Sequence, residues 1–294
     1  MNPHKYSDVI TSTVEQLSEY ESFKTLCHQH HDGEPMPSEK VLHEIIELCR
    51  SLIFPGYFGH STINRRTISY YVGVGTERLF ELLTEQILAG LCLACDRKKY
   101  TSLENMRESA NEKSAEFIKS LPELRRLLAT DVIAAYNGDP AAESYGEVIF
   151  CYPAIRAISN YRIAHCLIQL GVPLIPRMIS EMGIDIHPAA TIGEYFTIDH
   201  GTGVVIGATA IIGNNVKIYQ GVTLGAKSFP LDENGNPIKG IPRHPIIWNN
   251  VIIYSNASIL GRITIGEGAT IGGNIWVTEN VEPGARILQQ KAEK

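Results

Sequence analysis

A six-residue repeat of aliphatic side chains constrains the fold of this chain more than any other feature. The repeat occupies the stretch from Asp185 to Val277. It consists of three runs: Ile186, Ile192 and Ile198; Ile206, Ile212, Ile218 and Leu224; and Ile247, Ile253, Ile259, Ile265, Ile271 and Val277. Glycine follows many of these residues, at 193, 207, 213, 225, 266 and 272. Hexapeptide periodicity of this kind is typical of a parallel β-helix.

The geometry of a β-helix explains the spacing. Each hexad supplies one short strand and one tight turn, and three hexads close a triangular coil. The aliphatic residue points inward, and a small residue after it permits a corner that a larger side chain would crowd. One coil cannot bury its own apolar face, so several coils must stack. We therefore predict a β-helix domain over residues 181–284, with roughly four coils.

Residues 1–180 have helical patterns, so the chain is predicted to be of the α+β class, with an all-helical N-terminal domain before the β-helix. Ser38 is a predicted N-cap, and Pro55-Gly56 ends the helix that follows it. The other predicted helices cover residues around 9–26, 68–95, 102–136 with Pro122 as a break or helix start, and 145–170 broken at Pro153. A polar C-terminal tail, 285–294, completes the chain.

Composition excludes several classes of protein. The formal net charge of −6 provides no basic surface for nucleic acid. No apolar run is long enough to span a membrane, and the N-terminal residues do not form a signal peptide, so we expect a cytoplasmic protein. The six cysteines are then expected to be free thiols. Cys92 and Cys95 lie in an apolar helical pattern typical of buried thiols, and Cys27–Asp32 is expected to end the first helix rather than bind a metal.

Two interruptions of the hexad pattern are the candidate functional segments. Ile198 and Ile206 are eight residues apart instead of six, and the insertion contains Asp199-His200-Gly201-Thr202-Gly203. A bulge beside a rigid sheet re-aims side chains and is common next to active sites. The second interruption is the long loop Ala226–Pro245, which ends with Arg243-His244. Long loops on rigid scaffolds often carry binding residues.

His200 is the candidate general base, because an imidazole titrates near neutrality and can remove a proton from an attacking alcohol. Asp185 lies fifteen residues earlier, close to the length of one coil. It is therefore a candidate to orient His200 from the next layer as a His–Asp dyad. Taken alone, either residue favours a structural role, with Asp185 capping the entry turn and His200 a satisfied turn residue.

The motifs around these residues resemble those of the serine O-acetyltransferases over about residues 130–280. The matching segments are Asp139-Pro140-Ala141, Tyr161-Arg162-Ile163-Ala164-His165, Asp185-Ile186-His187-Pro188-Ala189-Ala190, Asp199-His200-Gly201-Thr202-Gly203, Gln220-Gly221-Val222-Thr223-Leu224-Gly225 and Arg243-His244-Pro245. The resemblance implies a left-handed parallel β-helix with a protruding loop. It also implies acetyl transfer from acetyl-CoA to the hydroxyl of L-serine, the first committed step towards cysteine.

The resemblance assigns roles to individual residues. His200 would be the base and Asp185 its partner, while Asp139 and Asp199 would receive the substrate ammonium group. Arg243 would pair with the substrate carboxylate, for which a guanidinium is well shaped, and His244 would contact the carboxylate or the reacting hydroxyl. The acetyl-CoA positions would be Gly225, Ala226, Ser255 and Gly273, with a backbone N–H near Gly225 and Ala226 as oxyanion donor. No metal is expected, and His187 and His165 are interpreted as structural.

The resemblance also bears on partners. It implies a homotrimer or a dimer of trimers with sites shared between chains, and feedback inhibition by cysteine at the serine anchors. Complex formation with O-acetylserine sulfhydrylase is doubtful, because the terminal isoleucine that many members insert into that enzyme is not found in Gln290–Lys294.

Two alternatives remain open from the residues. One is another CoA-dependent acetyltransferase of this fold, acting on a sugar or an antibiotic, for which Arg243 would matter little. The other is a γ-type carbonic anhydrase, in which His187, His200 and His244 would bind a metal.

Overall fold

The computed structural model of the chain describes residues 6–19, 21, 34–59, 62–94, 102–179 and 183–289. A helical region precedes a parallel β-helix, which confirms the predicted fold class. The helices are α1 (Ser7–Ser18), α2 (Glu39–Ile53), α3 (Ile68–Ala94), α4 (Leu103–Gly138), α5 (Tyr145–Cys151), α6 (Pro153–Gln169) and α7 (Ile175–Met178). No helix in these ranges is both long and apolar enough to cross a membrane.

Local signals account for several helix ends. The Ser38 hydroxyl accepts a hydrogen bond from the backbone N–H of Val41 at 3.4 Å, so the predicted N-cap of α2 is confirmed. Pro153 begins α6 and separates it from α5, also as predicted. Proline is favourable there because the first helical N–H has no partner within the helix.

The predicted break at Pro122 is wrong. Pro122 lies inside α4, which continues for 36 residues. The packing of α4 against α3, α6 and α2 explains its continuity, because tertiary contacts outweigh the intrinsic cost of an interior proline.

Helix α1 forms where the sequence predicts a helix, but its apolar side chains are exposed and none is buried. The remainder of that predicted helix, the segment Cys27–Asp32 and Cys95 lie outside the described residues. Cys92 is buried and retains its thiol, as predicted.

The β-helix consists of short parallel strands in three sheets. The strands are β1 (Ile184–Ile186), β2 (Thr191–Ile192), β3 (Thr197–Asp199), β4 (Val204–Ile206), β5 (Ile211–Ile212), β6 (Lys217–Tyr219), β7 (Thr223–Gly225), β8 (Ile246–Ile247), β9 (Ile252–Ile253), β10 (Ser258–Leu260), β11 (Thr264–Ile265), β12 (Thr270–Ile271), β13 (Trp276–Val277) and β14 (Arg286–Ile287). Their spatial orders are β1-β4-β7-β10-β13, β11-β8-β5-β2 and β14-β12-β9-β6-β3. From β1 to β13, every third strand therefore stacks on the same face of a triangular prism.

The strand register confirms the hexad interpretation. Ile186 pairs with Ile206, Ile192 with Ile212, and Ile198 with Ile218, so equivalent aliphatic positions stack in successive coils. These inward side chains are almost completely buried. The stack extends to β14, which pairs with β12 and lies beyond the predicted end of the repeat at residue 284.

The loop Ala226–Pro245 leaves the body of the β-helix between β7 and β8, as predicted. It folds back on itself through a bridge between Leu231 and Pro237. The Asp232 carboxylate accepts hydrogen bonds from the backbone N–H groups of Asn234 and Asn236 at 2.9 and 2.8 Å, which organises the turn.

A buried ion pair joins the helical region to the first coil. The Arg162 guanidinium of α6 donates to both carboxylate oxygens of Asp131 in α4, at 3.0 and 2.9 Å. It also donates to the carbonyl oxygens of Ile192 and Gly193 at 2.9 and 2.7 Å. Asp131 in turn accepts from the backbone N–H of Phe196 at 3.0 Å. Two helices and one corner of the β-helix are thus held by a single bidentate pair.

We expect Arg162→Met to destabilise the protein by roughly 3–5 kcal/mol, because it leaves the buried Asp131 carboxylate without its partner. Urea denaturation followed by circular dichroism measures this loss in the free energy of unfolding. Arg126→Gln is the matched control, since Arg126 also joins α4 to the β-helix through Glu194 but is half exposed. Comparable losses for the two variants would contradict the assignment of the buried pair as the main junction.

Candidate active site

The turns of the β-helix stack into columns, and two of these columns carry the candidate residues. One column, the His200 corner, contains residues 200–203, 220–222, 254–257 and 272–275 and connects the face of β3 to that of β1. Its backbone hydrogen bonds run from one coil to the next, from Gly221 N to Thr202 O and from Asn274 N to Ser255 O, each 2.9 Å. The other column, the loop corner, contains residues 187–190, 207–210, 226–245 and 261–263. The sheet β1-β4-β7-β10-β13 lies between the two columns.

The two-residue insertion turns His200 outward. His200 has a φ of 58°, in the left-handed region that non-glycine residues seldom adopt. Its side chain is 78% exposed, and its Nε2 lies 3.6 Å from Asp199 Oδ1. A Cβ added to the next residue, Gly201, would lie 2.5 Å from Ile184 Cδ1, so only glycine allows this turn to close against β1. The insertion therefore presents an accessible imidazole at the edge of a rigid sheet.

The helical region brings a second carboxylate to the His200 corner. Asp139 caps the C-terminal end of α4. The Tyr152 hydroxyl donates to Asp139 Oδ2 at 2.6 Å, and the backbone N–H of Ala141 donates to Oδ1 at 2.8 Å. The hydrogen bond from Tyr152, followed by that from Ala141, lowers the pKa of the Asp139 carboxyl, so this group is a carboxylate at neutral pH.

Lys217 connects these two carboxylate-bearing segments, and the sequence analysis missed it. Its Nζ donates to the Gly138 carbonyl oxygen at 2.8 Å and lies 3.2 Å from Asp199 Oδ2. Lys217 pairs in the strand register with Thr197, twenty residues earlier, so its contact with Asp199 is a diagonal one between adjacent coils. The hexad spacing alone did not identify this pair.

Asp185 lies on β1 with its side chain exposed, opposite Val205 in the register. The turn that contains His200 passes beside the start of β1, because the backbone N–H of Gly203 donates to the carbonyl oxygen of Gly183 at 2.8 Å. Among the residues that the structure describes, His200 forms an ion pair with Asp199 and none with Asp185. The predicted dyad partners are therefore on adjacent segments but are not in contact in this conformation.

Arg243 and His244 lie at the loop corner, where Thr209 holds them. The Thr209 hydroxyl oxygen accepts from the backbone N–H groups of Arg243 and His244 at 2.9 and 3.2 Å. His244 is buried, and its ring packs on Gly207, where an added Cβ would lie 2.0 Å from the ring Cδ2. Arg262 donates to the carbonyl oxygens of Thr209 and His244 at 2.7 and 2.9 Å.

The Arg243 side chain faces the long loop. Its guanidinium carbon lies 5.4 Å from the centre of the Phe229 ring, within the range of a cation–π interaction. Its Nε is buried and has no hydrogen-bond partner among the residues that the structure describes. Both residues line an open groove of about 870 Å³ together with Asp232, Asn236 and Lys239. No sequence signal identified Phe229, because its position over Arg243 depends on the path of the loop.

The other two motif histidines have hydrogen bonds that fit the predicted structural role. His187 Nδ1 accepts from the backbone N–H of Ala189 at 3.0 Å, and burial, reinforced by the nearby Arg177, lowers the His187 pKa to about 4. His165 Nδ1 lies 2.8 Å from the Pro188 carbonyl oxygen. Both rings therefore stabilise the first turn of the β-helix.

The four residues predicted to contact acetyl-CoA are divided between the two columns. Ser255 and Gly273 stack on each other at the His200 corner, where a Cβ on Gly273 would lie 3.0 Å from the Ser255 carbonyl oxygen. Gly225 and Ala226 begin the loop at the other corner. Within the described ranges, no group of three or more His, Cys, Asp or Glu residues is arranged to hold a metal ion.

Comparisons with known proteins identify the family. No protein-family model matches the chain. A plasmid serine acetyltransferase of Synechococcus elongatus is 49% identical over 262 residues, which cover 87% of this chain and 82% of the relative. A serine acetyltransferase of Mycobacterium tuberculosis is 45% identical over 54% of this chain and 67% of its own length.

Solved structures agree with the sequence relatives. Serine acetyltransferase isoform 3 of Entamoeba histolytica, in complex with cysteine, superposes with a TM-score of 0.71 at 31% identity over 98% of this chain and 94% of that chain. Soybean serine acetyltransferase complexed with serine gives a TM-score of 0.54 at 30% identity over 87% of this chain and 99% of that chain. The chain therefore belongs to the serine acetyltransferases, a family of acyltransferase enzymes.

Proposed function

We propose that this enzyme transfers the acetyl group of acetyl-CoA to the hydroxyl of L-serine and releases O-acetyl-L-serine and CoA. The observation that carries the proposal is the exposed His200 imidazole beside the Asp199 carboxylate, at a sheet edge to which the end of α4 also brings Asp139. The relatives crystallised with serine or cysteine support an amino acid as the acceptor.

Charge complementarity favours a zwitterionic substrate. Asp139 and Asp199 provide negative charge for an ammonium group at the His200 corner, and Tyr152 orients Asp139 for this purpose. Arg243 provides a planar guanidinium for the carboxylate, and its guanidinium carbon lies 5.4 Å from the centre of the Phe229 ring. A neutral sugar acceptor would need neither set of charges.

His200 acts as the general base. It accepts the hydroxyl proton as the serine oxygen bonds to the thioester carbon, and it returns that proton to the CoA sulfur as the carbon–sulfur bond breaks. Asp185, on the adjacent strand β1, stabilises the imidazolium when the His200 side chain turns towards it. No covalent acyl-enzyme is required, so the cysteines take no part in the reaction.

The acetyl-CoA thioester lies where the small residues leave room. Ser255 and Gly273 line the His200 corner above the base, and Gly225 and Ala226 line the opposite corner. A backbone N–H near Gly225 and Ala226 donates to the thioester oxygen as negative charge develops on it.

Each active site is formed by two copies of the chain. The His200 corner and the loop corner lie at opposite edges of the sheet that contains β1, separated by a three-residue strand of roughly 10 Å. A single serine molecule is too short to bridge that sheet within one chain. A cyclic homotrimer would place the His200 corner of one subunit against the loop corner of the next, as in heterologous assemblies.

The first expected outcome is L-serine-dependent release of CoA from acetyl-CoA, measured by thiol titration. His200→Asn should lower kcat by about 10²–10⁴-fold, the usual contribution of a general base. D-serine, homoserine and a galactoside serve as alternative acceptors, and His165→Asn serves as the histidine control outside the site. Activity on the galactoside alone would be compatible with the β-helix fold but would contradict the proposed amino-acid site.

The second expected outcome concerns the shared site. Co-expressed His200→Asn and Arg243→Leu chains should together recover about a quarter of wild-type activity, because random assembly of a cyclic trimer leaves that share of interfaces intact. Each variant alone should be nearly inactive. Absence of recovery in mixed trimers verified by mass spectrometry would show that each site lies within one chain.

A further inference from the structure

Thr209 makes several hydrogen bonds to Arg243 and His244 at the loop corner, through both its hydroxyl and its backbone N–H. Its backbone N–H donates to His244 Nδ1 at 3.1 Å, and its Oγ1 lies 2.8 Å from the same nitrogen. The same oxygen accepts the backbone N–H groups of Arg243 and His244. One threonine in the second coil thus fixes both the loop end and the imidazole ring.

These bonds determine where the His244 ring carries its proton. A backbone N–H can only donate, so Nδ1 must offer a lone pair to Thr209 and carries no hydrogen. The Thr209 hydroxyl already accepts two N–H groups, and its own hydrogen is therefore directed to Nδ1 as well. The single ring proton of neutral His244 is consequently on Nε2.

The surroundings of His244 favour the neutral ring. Burial lowers the His244 pKa, and the positive charges of Arg243 and Arg262 lower it further. The pKa of His187, which also lies near this corner, is itself lowered by burial and by Arg177. Protonation of Nδ1 would also break the bond from the Thr209 N–H.

We propose that Thr209 is a positioning residue that holds His244 as the Nε2–H tautomer, so that His244 donates a hydrogen bond to an oxygen of the acceptor. His244 cannot then act as a base through Nε2, and proton abstraction is left to His200. Donation to the acceptor carboxylate or hydroxyl completes the anchor begun by Arg243. This inference rests on the proposed function for its substrate, but the tautomer itself does not.

The tautomer is tested without substrate, by ¹⁵N NMR of selectively histidine-labelled protein assigned with His244→Asn. At pH 7 we expect a pyrrole-type Nε2 and a pyridine-type Nδ1 for His244. In the wild-type protein, a proton on Nδ1 or a doubly protonated ring would by itself overturn the proposal.

Kinetics test the functional consequence. Thr209→Val removes the hydroxyl at nearly constant volume and should raise the KM for serine about tenfold or more, with the KM for acetyl-CoA little changed. Thr209→Ser should restore most of the serine affinity, because it keeps the hydroxyl. A second pair of variants distinguishes the contributions of the two His244 ring nitrogens to serine binding. His244→Gln keeps a donor near the Nε2 position and should retain more serine affinity than His244→Asn.

A control variant and a comparison of melting temperatures distinguish a merely structural role of Thr209 from the positioning role. Thr191→Val is the control, because Thr191 lies on an exposed strand position and does not contact His244. If Thr209→Val and Thr209→Ser have equal serine KM values at equal melting temperature, the positioning role is rejected. If the wild type shows no serine-dependent activity at all, the proposed function fails while the NMR result still decides the tautomer.

Discussion

The buried pair of Arg162 and Asp131 links the two halves of the molecule, and the candidate site depends on that link. Because the guanidinium also binds the carbonyl oxygens of Ile192 and Gly193, α4 and α6 have one fixed orientation over the first coil. That orientation brings the C-terminal end of α4 to the turn that follows β3. Asp139 consequently lies beside the segment that contains Asp199 and His200, and Lys217 connects the two.

Parallel stacking determines how the chemistry is distributed. Every coil must repeat the same three faces, so extra residues are accommodated at the corners between them. The two interruptions of the hexad fall at different corners, and their side chains differ in charge. Asp199 and His200 lie at one edge of the β1 sheet, whereas Arg243 and His244 lie at the other edge. The trimer that we propose would bring the two sets together.

The two site histidines have different environments that suit different tasks. His200 is exposed, and its Nε2 lies 3.6 Å from a carboxylate oxygen of Asp199. His244 is buried against Gly207, and Thr209 saturates its Nδ1. These environments underlie the roles that we propose, a base for His200 and a neutral hydrogen-bond donor for His244.

The sequence by itself determined the β-helix, since hexad spacing and glycine corners admit few other structures, and the two breaks in that spacing located His200, Arg243 and His244. The tertiary structure decided what the periodicity does not encode. Pro122 remains inside α4 because neighbouring helices support it, and Phe229 covers Arg243 because of the path of the loop. Thr209 and Lys217 acquired their partners through stacking between coils. Local pattern specifies which face a residue occupies, but its contacts depend on the alignment of segments distant in the chain.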